Sequence, residues 1–305
     1  MVAGRHRVSG IVVVVNPASG GGRAGEVWEE LRRGEPRVAA ARVVQTSDPE
    51  AAQAELARAL DGGVDRLIVL GGDGSAHLVG NCLLELGRGA DVAMGLVPLG
   101  TGVDLARTLG LPADPKAALA RVLAAAARPM DVIELTTDDA RRRFVLNVAS
   151  AGISGPVDEA VNALHRPGKA AYLMATFGAL RRYQPVLCRV VVDEQEWFTG
   201  KILVLAVANG CSFGRGMRIA PRARLDDGKA DVVVVGAVPK WQLVLRMPEL
   251  YRGTHLESRH VKWCQARSVR LEPLASLPAF DLDGDVFASG AASFRVLPGA
   301  LRILA

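Results

Sequence analysis

Three glycine-rich loops lie in the N-terminal third of the chain, and each directly follows a short run of buried-strand residues. The loops are Asn16-Pro17-Ala18-Ser19-Gly20-Gly21-Gly22, Gly71-Gly72-Asp73-Gly74-Ser75 and Gly100-Thr101-Gly102-Val103-Asp104. Glycine has no Cβ, so backbone N–H groups can crowd around phosphate oxygens there. The aspartates among these amides would repel phosphate unless a cation lay between them. The loops therefore predict a metal–nucleotide site and indicate phosphoryl transfer.

Apolar runs alternate with helical patterns over residues 1–130, which predicts a doubly wound, mainly parallel α/β domain that binds nucleotide. In such sheets ligands bind at the carboxyl ends of the strands, where all three loops occur. The predicted strands are Ile11–Val15, Val38–Gln45, Leu67–Leu70 and Met94–Val97. The predicted helices are Glu26–Arg33, Pro49–Leu60, Ala76–Leu86, Val103–Leu109 and Pro115–Ala126.

Extended runs dominate residues 131–305 and predict a second, β-rich domain that is mainly antiparallel and sandwich-like. The predicted strands are Asp131–Leu135, Arg143–Ala149, Val186–Val192, Lys201–Ala208, Asp231–Val235, Arg259–Trp263 and Ser268–Leu271. Helical patterns interrupt them at Pro156–Leu164, Lys169–Tyr183 and near Trp241–Tyr251.

Composition indicates a globular protein, because half of the 305 residues are hydrophobic and 23% are charged. The net charge of +5 comes mostly from arginine, without the basic stripe typical of nucleic-acid binders. It fits either a solvated surface or attraction to an anionic membrane surface. The scattered cysteines (Cys82, Cys188, Cys211 and Cys264) predict neither a disulfide framework nor a zinc site, and they fit a reducing cytoplasm. No apolar run reaches the roughly 18 residues of a membrane span.

Two other motifs match enzyme patterns only formally. Gly20-x-Gly22-x-x-Gly25 resembles a dinucleotide fingerprint, but Gln45-Thr46 ends the second strand where an acid should hold the ribose. A P-loop would require Gly-Lys-Ser/Thr, which does not follow. Gly210-Cys211-Ser212-Phe213-Gly214, followed by Asp226 and His255, matches a serine hydrolase elbow. That elbow needs an immediate helix, which residues 215–221 disfavour, so a hydrolase is a remote alternative.

Gly71-Gly72-Asp73-Gly74-Ser75 is the most specific segment. Glycines on both sides of an acid let the backbone turn sharply beneath a phosphate. We expect Ser75 to cap the next helix, whose N-terminal amides favour anions. Asp73 is then placed to contact a metal ion or a hydroxyl group.

With this segment the chain resembles the diacylglycerol kinase catalytic family, specifically the bacterial soluble lipid kinases, which are similar to sphingosine and ceramide kinases. The resemblance covers nearly the whole chain. Besides the signature loop, its motifs are Val15-Asn16-Pro17-x-Ser19-Gly20, Pro98-Leu99-Gly100-Thr101-Gly102-x-Asp104, Gly168-Lys169-x-x-Tyr172, Ala208-Asn209-Gly210, Phe213-Gly214-x-Gly216-Met217, Ala220-Pro221, Asp226-Asp227-Gly228 and Asp283-Gly284-Asp285.

The resemblance implies a nucleotide-binding α/β domain, a β-sandwich domain and ATP-dependent, magnesium-dependent phosphorylation of a lipid hydroxyl. The residues implied to bind ATP are Asn16, Ser19, Gly20, Thr46, Gly71, Gly72, Gly74, Ser75, Gly100 and Thr101. Asp73 and Asp283 would organise magnesium and the reacting hydroxyl, with Asp285 as the proton acceptor. Asp227 and the backbone oxygens of Ala230 and Val232 would hold a second, structural magnesium ion.

The expected partners are a lipid alcohol and, transiently, an anionic membrane surface. The expected location is the cytoplasm, peripheral to the membrane, and a homodimer is left open. Arg181, Arg182, Arg252 and Arg259 are candidates to meet lipid headgroups.

Three positions depart from the family pattern. Val103 stands where asparagine is usual, Asp285 where glutamate is usual, and Ser75 where threonine is usual. The first two leave open an alternative in which a degenerate kinase binds nucleotide or lipid as a sensor. Asp283-Gly284 is also a common hairpin-turn dipeptide, so a purely structural role for this motif stays open.

Overall fold

A computed structural model of the chain describes residues 10–45, 49–61, 63–100, 102–153, 156, 178, 183–275, 279–288 and 290–305. It divides into two compact units, residues 1–130 with 299–305, and residues 131–298. The sequence assigns everything after residue 130 to the second domain. Residues 299–305 instead belong to the first unit, because the end of the last strand pairs with a strand of that unit.

The first unit is built on a parallel sheet. Its strands are β1 Gly10–Val15, β2 Arg42–Gln45, β3 Val64–Gly71, β4 Ala93–Pro98 and the end of β15, Ala292–Leu304. They lie in the order β2-β1-β3-β4-β15, and every neighbouring pair is parallel. This order brings the carboxyl ends of β1, β3 and β4 to one edge of the sheet and confirms the predicted fold class.

Helices cover both faces of this sheet. They are α1 Ser19–Gly22, α2 Ala24–Gly34, α3 Pro49–Leu60, α4 Asp73–Glu85, α5 Asp104–Thr108 and α6 Pro115–Ala124. Trp28 of α2 and Val122 of α6 pack with Val13 and Ile68 in one buried cluster. Helices α3 and α4 pack against β2 and β3. Successive strand residues are buried alike, as expected for strands covered on both sides.

One predicted strand of this unit is wrong in its first half. The sequence predicts a strand over Val38–Gln45, but β2 begins only at Arg42. Pro36–Val38 forms a 3₁₀ turn, and the Glu35 side chain caps it by accepting a hydrogen bond from the backbone N–H of Arg37 at 3.2 Å. Proline at the first position of a helical turn has a suitable φ, so the local signals there favour a turn over a strand.

The second unit is antiparallel in every strand pair for which a register is defined. Its strands are the end of β5 Ala127–Thr137, β6 Arg142–Val145, β7 Val148–Gly152, β8 Val186–Val192, β9 Gln195–Ala208, β10 Ala230–Gly236, β11 Val261–Ala266, β12 Ser268–Pro273, β13 Ala279–Leu282, β14 Asp285–Ala288 and the start of β15. The long β9 pairs with β8 along its first half and with β7 and β10 along its second.

The core of this unit contains Phe280 and Phe294, whose rings meet edge to face with their centroids 5.9 Å apart.

The predicted strand Arg143–Ala149 is in fact two strands, interrupted at Leu146 and Asn147. The sequence does not predict β13 and β14 as strands, although it leaves open the turn that joins them. The predicted helices Pro156–Leu164 and Lys169–Tyr183 lie almost wholly outside the described residues.

The predicted helix near Trp241–Tyr251 is confirmed as α7, Lys240–Arg252. Its residues Leu243, Met247 and Leu250 pack against a buried cluster that includes Leu203 and Met217. None of the helices in the described part of the chain has the length and apolar character needed to cross a bilayer.

Packing of α6 on β4 leaves no room for a side chain at Gly95. A Cβ there would fall well inside contact distance of the Val122 side chain, which is fully buried. We expect Gly95→Ala to destabilise the protein by about 1–3 kcal/mol through overpacking. Adding Val122→Ala should recover part of that loss. Thermal unfolding of both variants measures the effect, and a Gly95→Ala variant that melts like the wild type would contradict this packing.

Candidate functional site

The three glycine loops meet at the carboxyl edge of the parallel sheet. Asn16 follows β1, and its Oδ1 accepts a hydrogen bond from the Ala18 N–H at 3.0 Å, which fixes the first loop. Its Nδ2 donates to Ser75 Oγ at 3.3 Å, which joins the first loop to the second. A Cβ on Gly20 would lie 2.8 Å from the Leu99 side chain, so the first loop also lies against the third.

The second and third loops are joined through their backbones. The N–H of Leu99 donates to Gly71 O at 2.9 Å, and the N–H of Asp73 donates to Gly102 O at 2.9 Å. A Cβ on Gly72 would lie 2.7 Å from that same oxygen of Gly102. Glycine at position 72 is therefore required by the close approach of the two chains.

Asp73 anchors this junction with its side chain. Its Oδ2 accepts a hydrogen bond from the Asp104 N–H at 2.8 Å, and its Oδ1 accepts one from the Leu105 N–H at 3.1 Å. These amides belong to the first turn of α5, where N–H groups lack partners within the helix. Asp73 thus stabilises the start of α5, a role that the sequence does not predict.

Gly74 differs from Gly72 in what surrounds it. It lies in the first turn of α4, and among the described residues no atom beyond its chain neighbours and the backbone of its own helix lies within 4 Å of the position that its Cβ would occupy. Neither packing nor a positive φ requires glycine at this position. The N-terminal amides of a helix attract anions, and an open approach at Gly74 leaves room for one.

Ser75 lies inside the first turn of α4, so the expectation that it caps this helix is wrong. The N-cap is Gly72, and the helix starts at Asp73. Ser75 is 7% exposed and accepts the hydrogen bond from Asn16. Its hydroxyl therefore holds the first two loops together.

The first loop has an unusual backbone. Gly20, Gly21 and Gly22 have φ angles of 63°, 71° and 89°, in the left-handed region that favours glycine. Gly100 of the third loop has a φ of 120°. Of the other residues implied to bind ATP, Ser19 lies at the start of α1. Thr46 and Thr101 lie outside the described residues.

In the second unit, Asp283 and Gly284 form the two-residue turn between β13 and β14. Their φ angles are 56° and 100°, and Leu282 pairs with Asp285 across the turn. Left-handed values at both turn positions fit a type I′ hairpin, for which Asp-Gly is a favoured sequence. The motif therefore forms the two-residue hairpin turn that its Asp-Gly dipeptide favours.

The carboxylate of Asp283 organises the neighbouring chain. Its Oδ1 accepts hydrogen bonds from the N–H groups of Asn147 and Val148 at 3.0 and 2.9 Å, and its Oδ2 accepts one from Leu146 at 2.8 Å. These amides lie where β6 gives way to β7, which explains why the predicted strand is interrupted. Asp285, the implied proton acceptor, is exposed at the start of β14.

The implied structural metal ligands lie around the start of β10. Asp227 Oδ1 accepts a hydrogen bond from the Lys229 N–H at 3.1 Å. Gln265 Nε2 lies between two carboxylates, 3.4 Å from Asp227 Oδ2 and 3.2 Å from Asp231 Oδ1. Ala230 and Val232 lie two apart on β10, so their carbonyl groups point to the same side of the strand.

Asp231 is the buried acid of this cluster. It is 1% exposed, and its Oδ2 has no hydrogen-bond partner in the described part of the structure. Burial raises the pKa of Asp231, and the nearby Asp227 charge raises it further. Carboxylate and carbonyl oxygens are the ligands that magnesium prefers. Within the described residues, no group of three or more His, Cys, Asp or Glu could hold a metal. A cation here would therefore need carbonyl ligands.

The hydrolase elbow is absent at Ser212. Phe213 and Met217 form a β-bridge after it, where the elbow requires a helix. Ser212 is 4% exposed, and the His255 ring nitrogen Nε2 is hydrogen-bonded to Ile219 O at 3.0 Å. Burial lowers the pKa of His255. These residues form part of the core.

Comparison with known proteins identifies the family. The model of the diacylglycerol kinase catalytic domain matches residues 10–135, and that of the YegS C-terminal NAD kinase beta sandwich-like domain matches residues 147–305. The chain belongs to the diacylglycerol kinase family. It is 30% identical to a diacylglycerol kinase of Mycobacterium tuberculosis over 98% of this chain and 96% of that protein.

A further relative agrees with this membership of the family, and a solved structure shares the fold. A Pseudomonas aeruginosa protein named as a probable YegS-like lipid kinase is 32% identical over 80% of this chain and 78% of that protein. A crystal structure of a diacylglycerol kinase from Bacillus anthracis has the same fold, with a TM-score of 0.71 at 18% identity over 97% of this chain and 96% of that one. The predicted family and fold class are thus confirmed, including the parallel core and the antiparallel sandwich-like domain.

Sequence reasoning overlooked several buried polar residues of this lipid kinase family member. Asp104 is 3% exposed, and Asp131 Oδ2 accepts the Gly228 N–H at 2.6 Å, beside the implied ligand Asp227. Asn147 and Asn209 are buried, and the Oδ1 of each lacks a hydrogen-bond partner among the described residues. Asp104 and Asn209 belong to the family motifs given above, and that membership is the sequence signal that could have identified them. Asp131 and Asn147 carry no local signal.

The contacts of Asp283 predict that it is chiefly needed for stability. Asp283→Asn replaces one accepting oxygen with an N–H₂ group that faces backbone donors, so we expect a loss of about 2 kcal/mol or more. Asparagine tolerates the left-handed φ, so strain should not contribute. Asp285→Asn at the exposed neighbouring acid should change stability by less than about 1 kcal/mol. Denaturant unfolding of the two variants provides the test, and equal losses would contradict these roles.

Proposed function

We propose that this member of the lipid kinase family transfers the γ-phosphate of magnesium–ATP to the hydroxyl group of a lipid alcohol. The observation that carries the proposal is the convergence of three glycine loops at the N-terminus of α4, where Gly74 is open to an approaching ligand. Phosphoryl transfer depends mainly on positioning and charge neutralisation.

The loops would bind the triphosphate through their backbones. The amides of Gly74 and Ser75 lie at the positive end of the α4 dipole and would donate to phosphate oxygens. Asn16 and Ser19 would hold the first loop against the nucleotide. Gly71, Gly72 and Gly100 would act by letting the backbones approach closely. Thr46 and Thr101 are proposed from the family motif alone.

The acidic residues of the site would have two roles, to stabilise the local backbone and to bind cations. Each carboxylate oxygen of Asp73 accepts a backbone hydrogen bond from the first turn of α5. Carboxylate oxygens are also ligands that magnesium prefers, so Asp73 is proposed to contact the ion as well. When bound, magnesium would offset the charge that develops on the transferred phosphoryl group. Asp227, with the carbonyl groups of Ala230 and Val232, would hold a second ion that stabilises the start of β10. Asp231 is a suitable additional oxygen ligand there, while Gln265 Nε2 donates hydrogen bonds to both carboxylates.

Asp285 would accept the proton of the lipid hydroxyl as that oxygen attacks phosphorus. Its exposed position at the start of β14 leaves it accessible to a substrate. Aspartate is one methylene shorter than the usual glutamate, so the hydroxyl must approach the hairpin more closely. We also propose that the protein acts at the membrane periphery in the cytoplasm, because its substrate would reside in a bilayer.

The function is tested with labelled ATP and vesicles that contain diacylglycerol, a sphingoid base, ceramide, phosphatidylglycerol or an isoprenoid alcohol. We expect labelled lipid from the wild type and none after magnesium is chelated. Asp285→Asn should lower kcat by about 100-fold or more with ATP affinity kept, because a general base is lost. Asp285→Glu should retain activity.

The matched control is Asp226→Asn, since Asp226 is an exposed acid paired with Arg224 and has no part in the proposed phosphoryl transfer. This variant should phosphorylate lipid at the wild-type rate. Retained ATP binding without labelled lipid on any vesicle would instead support the sensor alternative. Unchanged turnover in Asp285→Asn would refute its proposed role.

Gly72 and Gly74 provide a paired test of the nucleotide site. Gly74→Ala should leave stability unchanged or raise it by up to about 1 kcal/mol, because alanine favours the helix and its Cβ meets no protein atom. It should still weaken ATP binding by about tenfold or more, since the methyl group would occupy the space of a phosphate. Gly72→Ala should lower the melting temperature, because its Cβ would strike Gly102 O. Calorimetric titration with ATP measures the binding effect, and thermal unfolding measures the stability effect. A Gly74→Ala variant that binds ATP like the wild type would contradict the proposed nucleotide site.

A further inference from the structure

Helix α7 of the second unit is apolar on two opposite faces. Its inner face, Leu243, Met247 and Leu250, packs against the buried cluster described above. On the opposite side, Trp241 and Leu245 are 64% and 69% exposed, the highest values among the exposed large hydrophobic residues of the described chain. A helix with one apolar face needs only one partner, so the second apolar face indicates a further contact.

The exposed residues form one stripe. Trp241 and Leu245 are four apart, Pro248 is three residues further, and Arg252 is four beyond that, so helical geometry places all four on one side. All four are exposed. We call this set the outward face of α7. Tyr251, which is 43% exposed, flanks it.

The charge around the outward face is positive. Glu249 is the one acid in α7, lies off the stripe and is paired with Arg246 at 3.3 Å. Arg252 lies on the stripe. Arg218 is exposed beside its C-terminal end, where its backbone N–H donates to Leu250 O at 3.0 Å. Neither arginine forms an ion pair with a described residue. Arg252 on the stripe and Arg218 near the C-terminal end of the helix therefore remain available to an anionic partner.

We propose that the outward face of α7 docks the protein on the interface of an anionic lipid bilayer. Tryptophan and leucine would enter the boundary between headgroups and acyl chains, with Arg218 and Arg252 at the level of anionic headgroups. The biological purpose of this contact rests on the proposed lipid kinase function, but the contact itself can be measured without catalysis.

The size of the patch favours a bilayer over a protein partner. The exposed parts of Trp241 and Leu245 amount to on the order of 300 Å². A stable protein interface buries about 800 Å² on each side, whereas a shallow amphipathic surface suffices for reversible membrane binding. The remaining exposed large hydrophobic residues, Val43, Leu86 and Leu274, are 37–47% exposed.

Binding is measured by sedimentation with vesicles of phosphatidylcholine that contain about 30% phosphatidylglycerol, and with vesicles of phosphatidylcholine alone. We expect the protein to bind the anionic vesicles several-fold more tightly, with an affinity that falls as salt rises. Brominated phospholipid should quench tryptophan fluorescence, and Trp241→Phe should remove most of the quenching while binding persists.

The double variant Trp241→Ser with Leu245→Ser should lose about tenfold or more in vesicle affinity. The control is Leu274→Ser, the same leucine-to-serine substitution at another exposed position of this unit, and it should bind vesicles like the wild type. The double variant Arg218→Gln with Arg252→Gln should lose the preference for anionic vesicles. Melting temperatures close to that of the wild type establish that each variant is folded.

Activity assays distinguish failure of this proposal from failure of the proposed function. With a short-chain lipid alcohol dissolved as monomers, the double variant Trp241→Ser with Leu245→Ser should keep wild-type turnover and lose it only on vesicles. Vesicle binding through α7 without phosphorylation of any lipid would refute the kinase proposal and leave the docking surface standing. Three results would overturn the docking proposal. They are a wild-type protein that does not bind vesicles, α7 variants that bind vesicles like the wild type, and a dimer in solution that Trp241→Ser converts to monomers.

Discussion

The close approach of two backbone segments in the first unit is the constraint on which its site depends. Gly72 lies against the carbonyl oxygen of Gly102, and only a residue without Cβ fits there. Because of that approach, the backbone N–H of Asp73 donates a hydrogen bond to Gly102 O. The Asp73 carboxylate accepts hydrogen bonds from two backbone amides of α5. The helices α4 and α5 consequently begin side by side at the carboxyl edge of the sheet. The first-turn amides of α5 are taken up by Asp73, whereas those of α4 lie at this edge, as an anion site requires.

The second unit uses an aspartate in the same way. Asp283 accepts three backbone amides at the junction of β6 and β7, and in doing so holds the β13–β14 hairpin in place. Asp285 then lies exposed at the start of β14, in the hairpin that Asp283 holds. In both units an acid that motif matching would assign to the chemistry also organises the backbone around it. Substitution of Asp73 or Asp283 will therefore combine a folding effect with any catalytic effect, whereas substitution of Asp285 or Gly74 separates the two.

The sequence predicts the parallel domain well because its signals are local. Continuous β-branched runs such as Ile11–Val15, followed by glycine, specify buried strands that end in loops. It predicts the second unit less completely. The interruption at Leu146 and Asn147 depends on a carboxylate more than 130 positions away in the chain. The return of β15 to the first unit likewise depends on pairing with β4, which no local pattern encodes. The buried oxygens of Asp231 and Asn209 become visible only when hydrogen bonds are accounted for in three dimensions.

A crystal structure of the protein with magnesium and a non-hydrolysable ATP analogue would test the central claim most directly. The account predicts that the triphosphate lies over the first turn of α4, with its oxygens within hydrogen-bond distance of the Gly74 and Ser75 amides and against the open side of Gly74. A triphosphate bound elsewhere, with the three glycine loops left empty, would contradict it.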